Sequence, residues 1–475
     1  MSAIVPVLRA DARPCLTRAF AALAGTAAVV AVATFTDQLV LAAMLATVGV
    51  LAAVSVRWPL FPLFLFAAVI PLDEIARIGP LGSPGRIVAI AFVLVYAVPR
   101  LQSIRLDPMP LATWGYLGWA ALSAGWALDP GRTVAEFGTL LQMVALAVLV
   151  ADAVIEHPAI VRPLLWVYSA AAAATALFGV IASLASGGSV MGRASAFSGQ
   201  DPAQFAAILL PAFAVALYEI LRGPMRLPGT ALAVASAAGI VLSGARGAWV
   251  AAVVVAAGLI LATFRLRKAS TVAVTLAGIG AAALALLSVP GLPAFVASRI
   301  DLALVTGGAG RTSIWTVGAS IFGASPLIGV GFDNFPIAFT SERIRLAGVP
   351  DLTLVGSGPH DIIVGTAAEL GLVGLVLLAL LIAPLFARAP GRRELVVVQA
   401  ALVSLLVDAL FLDIFSNRKQ VWLLVGIAAG LLWSHRHAIA PAPRRWPVPE
   451  QRLRPAWPQR PALSNGGASG ARRVP

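Results

Sequence analysis

Leu242-Ser243-Gly244-Ala245-Arg246-Gly247-Ala248-Trp249 sets one guanidinium in a minimal glycine-rich turn between two apolar runs. Glycine permits the tight backbone, and a guanidinium offers a fixed fork of donors that keeps its charge, which suits a diphosphate-like anion without help from a metal. The competing reading is a hairpin whose arginine snorkels to lipid phosphate. Further on, Gly358-Pro359-His360-Asp361 stands immediately before an apolar run from Ile362 that contains Ala368-Glu369-Leu370-Gly371-Leu372-Val373-Gly374. A histidine at a membrane boundary serves as a general base near neutral pH, and Asp361 is placed to cap the helix that follows. Between these stretches lie Gly310-Arg311-Thr312-Ser313-Ile314-Trp315 and Gly329-Val330-Gly331-Phe332. Arg311 and Trp315 at helical spacing predict a short amphipathic helix at the interface, with the Gly-Val-Gly run as its exit.

Metal and nucleophile chemistry find little support. The histidines are His157, His360, His435 and His437, with no Cys/His cluster at ligand spacing, and Ser243 has no G-x-S-x-G setting. The single cysteine, Cys15, cannot make an intrachain disulfide. No metal and no cofactor are expected.

The elements that must position these residues follow from composition. The 475 residues are 60% hydrophobic and 12% charged, with a mean hydropathy of +0.92, far from the roughly 25% charge of soluble domains. Apolar runs of about 18 to 25 residues, each long enough to cross a hydrocarbon core of about 30 Å as helix, recur from Ala19 almost to Trp433. Helices are predicted at 19–36, 38–56, 58–72, 86–99, 110–127, 134–155, 160–185, 203–221, 229–243, 247–264, 270–288, 362–387, 395–412 and 420–435. The fold class is therefore all-α, a polytopic transmembrane protein of about 12–14 crossings. Arg9, Arg13 and Arg18 precede the first run as in a secretion signal, but a second run follows at once, so the first reads as a retained helix. With a cytoplasmic N-terminus, 23 of the 34 Lys and Arg fall inside, and both termini are predicted to be cytoplasmic.

The domains read as a cytoplasmic tail at 1–18, a transmembrane region at 19–288, a large extracytoplasmic loop with short interfacial helices at 289–361, further transmembrane helices at 362–435, and a disordered basic tail at 436–475. That tail carries eight of the basic residues, so the net charge of +13 points to lipid headgroups and not to nucleic acid. Arg77, Arg86, Arg132, Arg193, Arg246 and Arg311 oppose the inside bias. An arginine drawn into the bilayer costs about 2.5–3.5 kcal/mol on insertion scales, so several on one face ask for an anionic partner, whether lipid phosphate, a bound ligand, or Asp73, Glu74, Asp129 or Asp201.

These segments, in this order, resemble the O-antigen ligase and polymerase family of membrane glycan transferases. The matches are Arg246-Gly247, Arg311 with Trp315, Gly329-Val330-Gly331 with Phe335 nearby, His360, and Glu369-Gly371-Gly374. Upstream, Gly192-Arg193-Ala194-Ser195-Ala196-Phe197 with Asp201-Pro202 is similar to that family's Arg-to-Asp/Asn-Pro-Asn segment. The resemblance covers about residues 190 to 435. Ala245, Asp361 and Ala203-Gln204 depart from its usual serine and asparagines.

The resemblance implies a GT-C-like helical enzyme in the bacterial inner membrane, acting on a glycan carried by undecaprenyl diphosphate in the outer leaflet. Arg193, Arg246 and Arg311 would hold the diphosphate and His360 would take the acceptor's proton, with Trp315, Asp361 and Glu369 in support. The acceptor stays open among a lipid-linked glycan, a lipid A core and a protein hydroxyl. The alternative from another class is a transporter or flippase, which should show paired midplane charges and an internal repeat. Asp152, Glu219, Glu369 and Asp408 are among the acids within predicted helices, Asp408 the deepest, and no repeat is detected.

Overall fold

The structure, a computed structural model, describes residues 49–50, 53–55, 57–73, 83–185, 193–196, 200–264, 288, 291–305, 311–346, 358–413 and 415–439. The helix expected at 19–36, most of those at 38–56 and 270–288, Cys15, Glu74, Arg77, the cluster Arg265, Arg267 and Lys268, and the tail beyond 439 lie outside the described residues. Contacts divide the chain into Met1–His435 and Arg436–Pro475.

All regular structure among the described residues is helical. It comprises α1 (Phe61–Val69), α2 (Pro84–Phe92), α3 (Leu111–Leu122), α4 (Pro130–Glu156), α5 (Val161–Ala185), α6 (Pro202–Arg222) and α7 (Arg226–Leu242). There follow α8 (Arg246–Phe264), α9 (Leu292–Val305), α10 (Arg311–Ala324), α11 (Phe335–Arg345), α12 (Ile362–Ile382), α13 (Arg393–Asp408) and α14 (Lys419–Ile439). Pro130–Glu156, Pro158–Ser183, Pro202–Arg222 and Ile362–Phe386 are long and apolar enough to cross a membrane, and three shorter apolar helices accompany them. The chain is a membrane protein. These are fewer than the 12–14 crossings hydropathy predicts, partly because expected helices fall outside the described residues.

Several boundaries differ from the sequence reading for local reasons. The helix expected through residue 412 stops at Asp408, whose carbonyl takes both Phe411 N–H (2.8 Å) and Leu412 N–H (2.9 Å) in a closing turn. Beyond Phe92, α2 widens into a π turn at Val93–Ala97. The expected short helix after Arg311 runs on to Ala324.

Hydrogen bonds identify two ends of the bundle. The N-terminal end of α4, about 40 Å from its other end at 1.5 Å per residue, meets the segment before α11. Asp129 N–H donates to Asn334 Oδ1 (2.6 Å), Asn334 Nδ2 to Thr133 Oγ1 (2.7 Å), and Arg132 Nε lies 2.7 Å from Asp333 Oδ2. Its C-terminal end meets the segment before α3 through Arg105 and Asp152 (3.3 Å). α6 likewise has Asp201 capping its start by accepting from Ala203 N–H (2.9 Å), while Glu219 near its finish pairs with Arg162 (3.1 Å). Between the ends, Gly426 and Gly430 bring α14 against the Ala147 and Ala151 carbonyls of α4, a close approach that only small residues allow.

One helix is broken where its partners can repair it. At Gly371 (φ 66°, ψ −163°) α12 leaves helical geometry, which orphans carbonyls and amides that an apolar surrounding makes costly. The segment after α10 takes them up: Val330 N–H donates to Ala368 O (3.0 Å), Gly331 N–H to Glu369 O (2.9 Å), and Leu372 N–H to Pro326 O (2.8 Å). Trp119 Nε1 donates to Leu370 O (3.0 Å). The backbones pass so closely that a methyl group on Gly329 would overlap Glu369, and one on Gly371 would overlap Leu327. This contact accounts physically for two glycines of the Gly-x-Gly and Glu-x-Gly stretches.

Candidate functional site

The turn joining α7 to α8 is the centre of the site. Gly244 adopts φ 62° there, and Phe295, Arg299 and Arg193 pack over it. The segment before α6 is bound to the same turn: Ala194 N–H donates to Leu242 O (2.9 Å) and Arg193 Nε to Ser243 O (2.8 Å). Arg246 begins α8 and donates to the Arg299 carbonyl (3.3 Å), so α9 is held against the turn. Arg311 begins α10, its guanidinium 5.8 Å from the centre of the Phe411 ring.

Four guanidiniums therefore converge from four segments. Burial pushes Arg193 below its ordinary pKa, Asp201 pulls it back up, and Arg299, Arg311 and Arg246 each press it down. Burial likewise lowers Arg311; Arg246 adds to that, and Asp408 and Asp201 oppose it. A guanidinium keeps its charge despite such lowering, so Arg193 and Arg311 remain cations. Among the described residues, none of the four has a carboxylate at ion-pair distance. Arg299 Nε is buried without a hydrogen-bond partner, as is Asp408 Oδ2. The result is a cluster of four positive and two more distant negative groups, which favours an anion of more than one charge.

His360 lies at the same end. It is half-buried and in the left-handed region at φ 49°, an uncommon conformation for a non-glycine residue. Two residues on, Ile362 N–H donates to Ala409 O (2.9 Å), which seats the start of α12 beside Asp408. Asp361 is the N-cap of α12, one oxygen accepting from Ile363 N–H (2.7 Å) and Val364 N–H (2.9 Å). Glu369 Oε1 accepts from Phe335 N–H (3.1 Å) and so anchors the start of α11. Trp315 packs beside Ile314, Val317 and Phe335 in a satellite core. Asp361, Glu369 and Trp315 thus support the framework, while Arg193, Arg246 and Arg311 are brought together with each other. No group of three His, Cys, Asp or Glu among the described residues is arranged to hold a metal ion.

Sequence reasoning missed Arg299. Its only signal is a lone arginine in Leu292-Pro293-Ala294-Phe295-Val296-Ala297-Ser298-Arg299, a stretch without a matching motif.

A search of curated proteins finds no match to the chain. Residues 231–379, which carry Arg246, Arg299, Arg311, His360 and Glu369, match the family model described as O-antigen ligase.

Proposed function

We infer that the chain transfers a glycan from undecaprenyl diphosphate to an acceptor hydroxyl at the outer face of the bacterial inner membrane, as an O-antigen ligase or polymerase does. The observation that carries the reading is the convergence of Arg193, Arg246, Arg299 and Arg311 without an ion-paired carboxylate. In this reading both termini are cytoplasmic, 289–361 is the large outer loop, and the helical fold is GT-C-like.

As the bond between the anomeric carbon and the bridging oxygen breaks, its electron pair stays on the diphosphate. Preorganised guanidiniums favour that developing charge over the ground state. The acceptor oxygen bonds to the anomeric carbon from the opposite face, which inverts its configuration, and its proton passes to neutral His360. The arginines supply the positive charge, so neither a nucleotide nor a metal is required.

The test uses full-length protein in nanodiscs with an undecaprenyl-diphosphate-linked oligosaccharide. Release of the free lipid diphosphate is followed for wild type, Arg246→Ala and His360→Ala. Release by wild type and its loss in both folded variants supports the reading. Variants indistinguishable from wild type would overturn it.

A further inference from the structure

A cavity opens at the arginine-rich end of the bundle, away from the turn between α7 and α8. Its volume is about 1220 Å³, above the usual range of small-molecule pockets, roughly 300–1,000 Å³. α2 and α4 form its long walls, and these lie outside residues 231–379. Along α2 the wall is apolar, with Ala89, Ile90, Val93 and Leu94 facing Met143 and Leu146 of α4. From Arg86 to Leu94 the wall runs about 12 Å down the helix, at 1.5 Å per residue. Ile90, Val93 and Leu94 are exposed, and the π turn at Val93–Ala97 widens the helix at the base of the slot. Such turns recur at functional sites.

The rim has another character. Thr139, Gln142, Gln200, Asp201, Gln204 and Asn417 contribute hydroxyl, amide and carboxylate groups that both donate and accept. Three cations line it: Lys419 is ion-paired with Asp73 and bonded to Ser83, Arg86 donates to Gln142 (3.3 Å), and Arg418 precedes Lys419. Gln200 is 6% exposed. Its Oε1 accepts from Ala196 N–H (3.0 Å), which leaves Nε2 as a buried donor without a partner on the cavity wall. An unpaired buried amide is costly unless something supplies an acceptor. Asp201, which lines the slot, acts electrostatically on both Arg193 and Arg311.

The arginine cluster, which has no ion-paired carboxylate, suits a diphosphate better than this rim, where Lys419 already has Asp73. Clustered amides with the Asp201 carboxylate over an apolar wall match a sugar on a membrane-embedded chain. We propose that the slot is a second substrate site, which takes the sugar head and adjoining chain of a membrane-anchored glycolipid acceptor. It presents a head-group hydroxyl past Gln200 and Asp201 toward the arginine cluster. The proposal rests on the transfer reading above for its role as an acceptor site.

The test places full-length protein in nanodiscs with an alkyl β-maltoside carrying a diazirine in its chain, and maps the cross-linked residues. Saturable labelling of 89–94 and 142–146, displaced by unlabelled alkyl maltoside but not by undecaprenyl diphosphate, is expected. Gln142→Ala at the exposed rim and Ile90→Trp in the slot should each reduce it at least about tenfold, so the result does not depend on buried Gln200. Labelling displaced by undecaprenyl diphosphate alone would give the slot to the donor's chain and overturn the proposal, as would labelling without saturation. Undecaprenyl diphosphate binding to wild type and Arg246→Ala, measured on the same nanodiscs, separates the two ideas. Equal binding to both with the slot labelled sinks the donor reading alone, and normal donor discrimination with no slot labelling sinks the slot alone.

Discussion

Arg100, Arg105 and Arg162 each lie near a carboxylate at one end of the bundle, at 3.8 Å from Glu156, 3.3 Å from Asp152 and 3.1 Å from Glu219. Arg193, Arg246, Arg299 and Arg311, at the other end, lie within electrostatic reach of one another and have only Asp201 and Asp408 as more distant counter-charges. The contrast is not one of end against end, since Arg132 and Lys419 also find carboxylates near the cluster. A chain that can pair its arginines, and does so elsewhere, has gathered four that repel. Mutual repulsion is a standing cost, and a polyvalent anion would turn it into attraction.

The contrast can be broken most sharply at Arg246. Removing one preorganised donor to a developing anion costs about 10²–10³-fold in rate. Arg246→Ala should lose lipid diphosphate release by that factor without a lower thermal midpoint, because a repelling charge has gone. A midpoint that falls with activity would make the cluster structural. Asp152→Asn, at the paired end, should do the reverse. Asp152 is 1% exposed and accepts from Tyr96 Oη (3.0 Å) as well as pairing with Arg105. Breaking a buried pair costs about 3–5 kcal/mol, and half-exposed Arg105 brings this to about 2 kcal/mol. The expected result is a lower midpoint with unchanged turnover per folded molecule.

Arg299→Lys keeps the charge and loses the fork. We expect about a tenfold weaker apparent affinity for the diphosphate donor with a nearly unchanged maximal rate, read from initial rates at varied donor. The smallest effect concerns Asp413, beside neither set. Burial raises its carboxyl to about 6; Asp333 and Asp361 add to this, and the Phe415 N–H and Arg418 oppose it. The folded state therefore holds this proton more tightly than the unfolded one. The stability it contributes is full below about pH 4 and is lost as pH rises through about 6. Asp413→Asn should shrink the fall in thermal midpoint between pH 4.5 and pH 7, which calorimetry in detergent would show.

Hydropathy located the long helices because their partners matter less than their length: α4, α5, α6 and α12 begin and end within a few residues of the apolar runs. Arg246 was legible because glycines flank it, and Asp361 because capping is a local matter. Arg299 was not, since its importance comes from Arg193 and Arg246 meeting it across 106 and 53 residues of chain. Nor was the break at Gly371. The sequence there is a good apolar helix, and only the backbone of 326–331 and the Trp119 indole, brought by the fold, make an interruption affordable.

That break also has a history in time. Leu370 is synthesised 251 residues after Trp119, and Asn334 205 residues after Asp129. At about 5–20 residues per second, α3 and α4 wait roughly 10–50 s in the membrane for these partners. The repair of α12 is therefore a late event of biogenesis, and a nascent chain arrested before Ala368 would hold α1 to α11 without the contacts that repair α12.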